Sequence, residues 1–225
     1  MSARSLAGRL IAPVAMKSAP GLAATFVRQA FDHAVDGIGP LRGAGSAADL
    51  RLAEHDGDVE KAISALIDSH VRMAGVQGFL TNIGGVVTMA LSVPANITGL
   101  ALLQVHLVAG IAHLRGYDLA DPRVRNAVLA CLLGDDGVKS LIKKKKLPST
   151  PMAIATAPGY DATLDERVSA AVASELITRV AGKRTMAVVG RRMPVVGGGV
   201  GAVTDGFSTY QVGRYTAKQL RSRRV

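Results

Sequence analysis

The chain has 225 residues, of which 48% are hydrophobic and 20% charged, and its formal net charge is +10. This composition excludes a disordered protein, and the length allows one domain with a sizeable core. A single cysteine excludes an intrachain disulfide. A chain without Trp and with only four Tyr and four Phe lacks the aromatic platform that single-stranded nucleic-acid binders use.

The positive charge is concentrated toward the two ends of the sequence. No acidic residue precedes Asp32, and Asp205 is the only one between Arg179 and Val225. Cationic ends around a near-neutral middle suit an anionic surface, either a phosphate backbone or the cytoplasmic leaflet of a membrane. The alternative is the ordinary surface charge of a basic protein. Residues 1–20 are predicted to form a flexible basic N-terminus.

Almost every segment after residue 20 has the apolar spacing of a helix, which predicts an all-α protein built as a multi-helix bundle. The first helix covers residues 21–36 and ends at glycines and a proline. Ser46 is expected to cap a short helix that ends at Glu54, and the next helix begins near Val59.

The most informative segment contains no Asp, Glu, Lys or Arg between Arg72 and Arg115. A helix that spans a bilayer needs roughly 20 apolar residues, and this run holds two such lengths. Pro94 fits the first turn of a helix, so we expect two apolar helices, over residues 76–92 and 95–114. The segment is either a helical hairpin that enters lipid or the buried centre of a helical domain.

Several glycines and prolines of the apolar segments are predicted to permit close helix packing or to line an apolar cavity. Paired glycines weaken a helix locally, and small residues four positions apart let helix backbones approach. The glycine-rich stretch 197–201 lacks the preceding strand and the following acid of a dinucleotide fingerprint. The positions are Gly84, Gly85, Pro94, Gly99, Pro194, Gly197 and Gly201.

Two capping signals place helices in the second half of the chain. Asp121 and Pro122 are expected to open a helix that continues to Leu133, and residues 163–166 have the form of a capping box that opens a helix to about Ala181.

Between these helices, residues 134–137 are expected to break the chain, and residues 148–160 to form an internal linker within a single helical domain of the whole chain. Basic residues next to the apolar segments are usually solvated, but each could contribute about 1 kcal/mol against anionic headgroups. The predicted membrane or lipid contacts are Lys143, Lys144, Lys145, Lys146, Lys183, Arg184, Arg191 and Arg192.

No catalytic motif stands out. His106 and His113 would share one helix face, but no further ligand at metal spacing accompanies them, so a hydrogen-bonded buried histidine is the favoured interpretation. Asp118 and Asp121 could form a carboxylate pair, yet a turn and a helix cap account for them. We therefore expect no metal, no cofactor and no catalysis, with an enzyme acting on a lipid or small molecule as an alternative.

Two blocks of the sequence resemble the EcsC family. The first runs from Gly75 to Asp118 and contains a Gly-Gly pair and the step Val93-Pro94; the second runs from Val180 to Arg221 and contains the stretch MPVVGGGVG. Members of the family usually have an acidic residue in the place of Ser92. Because the family is linked to export and to an ABC transporter, the resemblance implies a helical protein at the cytoplasmic face of a membrane. It implies no catalytic residues.

The residues and the resemblance together predict a non-catalytic, peripheral protein at the inner, cytoplasmic face of a membrane. Its partner would be an anionic membrane surface, a lipid or a membrane transporter, and not a nucleic acid. The alternative is a soluble adaptor for another protein, whose uncharged run is core. Polar residues within the run, such as Gln104, favour this alternative, because lipid-facing helices tolerate them poorly.

Overall fold

The computed structural model describes residues 20–38, 41–83, 85–174 and 194–223. These residues are helical apart from short connections and a two-residue antiparallel pair, β1 (Gly37–Ile38) and β2 (Leu41–Arg42), so the predicted all-α bundle is confirmed. The helices are α1 (Pro20–Asp36), α2 (Ala44–Glu54), α3 (Val59–Ile83), α4 (Gly85–Leu114), α5 (Pro122–Cys131), α6 (Gly134–Lys143), α7 (Pro151–Ala155), α8 (162–174) and α9 (Pro194–Gln219).

Helix α4 lies at the centre of the bundle, because most residues of its C-terminal half are apolar and buried. Val105 and Val108 pack in the larger core cluster, with residues of α1 and of α5 to α9. Leu107 and Ile111 pack in a second cluster, with α2 and α3. Most side chains of residues 101–114, the last third of the uncharged run, are therefore buried in protein.

Helix α9 runs antiparallel to α3 and close to it. A Cβ atom on Gly213 would lie 2.8 Å from Ile67 Cγ1, and one on Gly206 would lie 3.5 Å from the carbonyl oxygen of Val71. Glycine at these positions lets the two backbones approach, which is the role that small residues play at tight helix contacts.

The predicted boundary at Pro94 is wrong. The predicted helix 76–92 covers the end of α3 and the beginning of α4, because α3 ends at Ile83 and α4 begins at Gly85. Pro94 therefore lies inside α4, and no helix begins at residue 95. Gly84, between the two helices, lies outside the described residues. Gly85, a residue of low helix propensity, begins α4, and the buried second half of α4 supports a helix that includes a proline.

Helix α5 begins where it was predicted. Asp121 caps it, with its Oδ1 accepting a hydrogen bond from the backbone N–H of Arg123 at 2.8 Å. The helix ends at Cys131, and Gly134 follows with a φ of 68°, in the left-handed region. The predicted break at 134–137 is instead the first turn of α6, where two acidic side chains favour a helix N-terminus.

Two other predicted caps are wrong. Helix α2 starts at Ala44, after Gly43, rather than at Ser46. A Cβ on Gly43 would collide with the end of α1, so the close approach of α1 sets this start. Helix α8 is capped by Asp161, which accepts hydrogen bonds from Thr163 N at 2.9 Å and Thr163 Oγ1 at 2.7 Å. Thr163 therefore donates to a cap and is not one.

The predicted internal linker, 148–160, contains helix α7. Thr150 caps this helix by accepting a hydrogen bond from Ala153 N at 3.4 Å, and Ile154 and Ala155 are buried in the larger core cluster. The chain is therefore packed here rather than extended. Of the predicted flexible N-terminus, only Pro20 lies within the described residues.

Candidate functional site

Exposed apolar side chains collect at one end of the α3–α9 pair. On α9, Val203 is 71% and Phe207 59% exposed, and on α3 Met73 and Val76 are exposed as well. Because the helices run antiparallel, the C-terminal part of α3 lies beside the N-terminal part of α9. These four side chains therefore lie at similar heights along the pair, and we call them the apolar end.

The outer face of α9 changes from apolar to basic along the helix. Val203, Phe207, Tyr210, Arg214 and Lys218 are all exposed and follow one another at steps of three or four residues, which places them on one face. Where one end of a helix enters a membrane, apolar side chains lie deepest, aromatic rings lie at the membrane–water boundary and long basic side chains reach the headgroups.

Four of the predicted basic contacts are described, and all four are exposed. Lys143 ends α6, and Lys144, Lys145 and Lys146 follow it in a turn. The other four, Lys183, Arg184, Arg191 and Arg192, lie outside the described residues. Sequence reasoning did not single out Arg214 and Lys218, although the successive four-residue steps from Tyr210 to Arg214 and from Arg214 to Lys218 were a usable signal.

The structure places the predicted packing positions at helix starts and within two helices. Gly85 and Pro194 begin α4 and α9, Pro94 and the half-buried Gly99 lie within α4, Gly197 and Gly201 lie within α9, and Gly84 lies outside the described residues. The close contact between α3 and α9 is made further along α9, at Gly206 and Gly213. Their seven-residue spacing, which puts both on one helix face, could have indicated it.

Two buried histidines meet between α3 and α4. Nε2 of His70 lies 3.0 Å from Nδ1 of His106. The other nitrogen of each ring lies near a backbone carbonyl, His70 Nδ1 at 2.8 Å from Leu66 O and His106 Nε2 at 2.9 Å from Arg42 O. His106 is thus the buried, hydrogen-bonded histidine that was predicted. His70 was missed, since nothing in the sequence pairs residues 36 positions apart.

Burial controls the protonation of this pair. The pKa of His70 and the pKa of His106 are both held below the usual imidazole value, chiefly because a charged ring would lose its water. The carbonyls of Leu66 and Arg42 oppose this effect, and for His70 the neighbouring positive charges of His106 and Arg51 reinforce it.

His113 does not join the buried pair. Its Nε2 lies 2.8 Å from Oδ1 of Asp49 on α2. Asp118 accepts a hydrogen bond from Ala120 N at 2.9 Å, as a turn residue does. An open depression of about 420 Å³ is lined by His113, Gly116, Tyr117, Asp118 and Leu119. In the described part of the chain, no three His, Cys, Asp or Glu side chains converge as metal ligands would.

Among the residues that the structure describes, no helix combines the length and the apolar character needed to cross a membrane.

The family model of the EcsC protein family matches residues 28–225. The match covers nearly the whole chain and includes both blocks on which the resemblance was based, so the chain belongs to this family. Comparisons with curated proteins and with solved structures find no match.

Proposed function

We propose that this EcsC-family chain is a non-catalytic protein that binds the cytoplasmic face of a membrane, with the apolar end in the interface and basic side chains against anionic headgroups. The observation that supports the proposal is the exposure of four large apolar side chains where two helices lie side by side. Contiguous exposed apolar surface marks a contact with a membrane or a protein.

The basic residues on α9 favour a membrane as the partner. Arg214 and Lys218 continue the face that carries Val203 and Phe207, with Tyr210 between the two groups. Full burial of one large apolar side chain contributes about 1.5–3 kcal/mol, and a basic residue near an anionic surface about 1 kcal/mol. Salt screens only the second contribution, so we expect binding that weakens in salt without being lost.

A soluble adaptor is the second candidate, and a specific observation favours it. Gln104 is buried, and its amide donates hydrogen bonds to Thr209 Oγ1 at 3.3 Å and Ser208 Oγ at 3.4 Å on α9. Residues 101–114 of the uncharged run therefore lie in the protein core. In this function the apolar end would contact another protein, such as a membrane transporter.

Vesicle flotation of the full chain tests the proposal. The protein is mixed with vesicles of phosphatidylcholine alone or with phosphatidylserine added. The test variant is Val203→Ser/Phe207→Ser, and Leu50→Ser is its matched control, because Leu50 is an exposed apolar residue on α2, outside the apolar end. A third variant replaces Lys143, Lys144, Lys145 and Lys146 by serine.

The wild type and Leu50→Ser should float with the anionic vesicles, and the double serine variant should lose about tenfold or more in partitioning. The lysine variant should lose binding mainly at low salt. Flotation that is abolished by the lysine changes and untouched by Val203→Ser/Phe207→Ser would reject the apolar end as the contact. A wild type that floats with neither vesicle would reject membrane binding and favour the adaptor.

A further inference from the structure

The buried contact between His70 and His106 needs more protons than two neutral histidines carry. Three close contacts involve the four ring nitrogens: 2.8 Å to Leu66 O, 3.0 Å between the rings and 2.9 Å to Arg42 O. A carbonyl only accepts, so the outer nitrogen of each ring must hold a proton. A neutral histidine has one N–H, and with both protons on the outer nitrogens two lone pairs face each other between the rings.

A third proton would remove the repulsion between these two lone pairs. Placed between His70 Nε2 and His106 Nδ1, it turns two opposed lone pairs into an N–H···N hydrogen bond and gives the pair one positive charge. The ring planes are 25° apart and the ring centroids 5.2 Å apart. Ser69 offers no substitute, because its hydroxyl already donates to Leu66 O at 2.9 Å and lies 3.4 Å from His70 Nδ1.

The surroundings of the two rings disfavour this positive charge. The two rings are only 2% and 3% exposed. Arg51 of α2 is the charged side chain that acts on His70, and its charge opposes proton uptake. Arg42 of β2 offers its carbonyl oxygen, and its side chain is exposed. On α9, which packs against both α3 and α4, the buried acidic residue is Asp205, next to Gly206.

We propose that His70 and His106 form one shared proton site that senses acid and joins α3, α4 and β2. The site takes up a single proton between the two rings, and the second is excluded because it would place two charges in one buried contact. His70 lies on α3 and His106 lies on α4. Beyond His70, helix α3 continues to the exposed Met73 and Val76. Acid therefore acts on the contact that holds α3 against α4.

The first test uses the wild-type chain with ¹⁵N-labelled histidine, followed by NMR from pH 7.5 to pH 4. At pH 7.5, His70 should carry its proton on Nδ1 and His106 on Nε2. As the pH falls below the ordinary imidazole value of about 6.5, both rings should change together in one step. An N–N coupling should then be seen between His70 Nε2 and His106 Nδ1.

The second test uses His106→Gln, whose amide can still donate to Arg42 O but has no titratable nitrogen that could share a proton with His70 Nε2. The matched control is His113→Gln, on the same helix but paired with Asp49. His106→Gln should remove the joint step, and the buried His70 ring should then stay neutral at the pH values at which the wild-type pair takes up its proton. His113→Gln should leave the His70 and His106 signals unchanged.

Two results would overturn the proposal, and both come from the wild type, so they do not depend on whether a variant folds. One is a neutral-pH tautomer of His70 with its proton on Nε2, which would satisfy the contact with two protons. The other is separate titration of the two rings, each with its own proton.

Discussion

The two ends of α3 use their side chains in opposite ways. At its start, Asp58 caps the helix by accepting hydrogen bonds from Glu60 N and Lys61 N at 3.1 and 3.0 Å, and Glu60 forms an ion pair with Arg115 at the end of α4. At the other end lie the exposed Met73 and Val76, beside Val203 and Phe207 of α9. One end of the helix is fixed by hydrogen bonds and an ion pair, whereas the described residues at the other end present exposed apolar side chains.

The largest expected difference between the two regions is in folding stability. Leu107→Ala removes a fully buried side chain of α4 and should lower the free energy of unfolding by about 2–5 kcal/mol. Phe207→Ala removes a side chain of the apolar end that is 59% exposed. This variant should change the free energy of unfolding by less than about 0.5 kcal/mol. Urea denaturation measures both. A loss at Phe207 as large as that at Leu107 would mean that the apolar end is part of the core.

The sequence predicted the helical class and the central place of the uncharged run, because a long apolar stretch without charges needs either lipid or protein around it. It did not predict where the run divides. Local rules treat Pro94 as a helix start, but α3 ends at Ile83 and α4 begins at Gly85 and includes Pro94. The core contacts of residues 101–114 come from segments distant in sequence, and these contacts override local propensity.

The next effect concerns the contact between α3 and α9. Gly213→Val would place a Cβ 2.8 Å from Ile67 Cγ1 and should cost about 1–3 kcal/mol through overpacking. Gly206→Ala, one heptad earlier on the same face, meets only an ordinary contact of 3.5 Å and should be neutral or stabilise by up to about 1 kcal/mol. Thermal unfolding of the two variants compares the packed and the more open part of one helix pair. Equal losses would contradict this view of α9.

Some candidate sites were predictable from neighbouring residues in the sequence, whereas others consist of residues from different helices. The exposed Lys143 to Lys146 were found because they are consecutive, and Asp121 because a cap and a proline are neighbours. The apolar end and the His70–His106 pair depend on which helices lie together, so they could not be read from spacing along one segment. The same holds for Gly43, whose requirement for glycine comes from the end of α1.

A smaller loss than that at Leu107 is expected at the N-terminal cap of helix α5. Asp121→Ala removes the cap of α5 and should cost about 1 kcal/mol, while Asp121→Asn keeps a capping oxygen and should cost only a few tenths. Guanidinium denaturation of the two variants measures the difference. Equal losses would show that the charge interaction with Arg123, and not the cap, is what stabilises this turn.

The pH dependence of Asp121 separates these two contributions. Its carboxylate accepts hydrogen bonds from Arg123 Nε at 3.0 Å and Nη2 at 2.6 Å, and these bonds hold the pKa of Asp121 below its usual value. A carboxyl group whose pKa is lower in the folded state stabilises the protein above its unfolded value of about 3.9, and that stabilisation is lost as the pH falls through the folded value. Wild type and Asp121→Asn should therefore differ most near neutral pH and converge in strong acid. A difference between them that stays constant with pH would assign the effect of Asp121 to cap geometry alone.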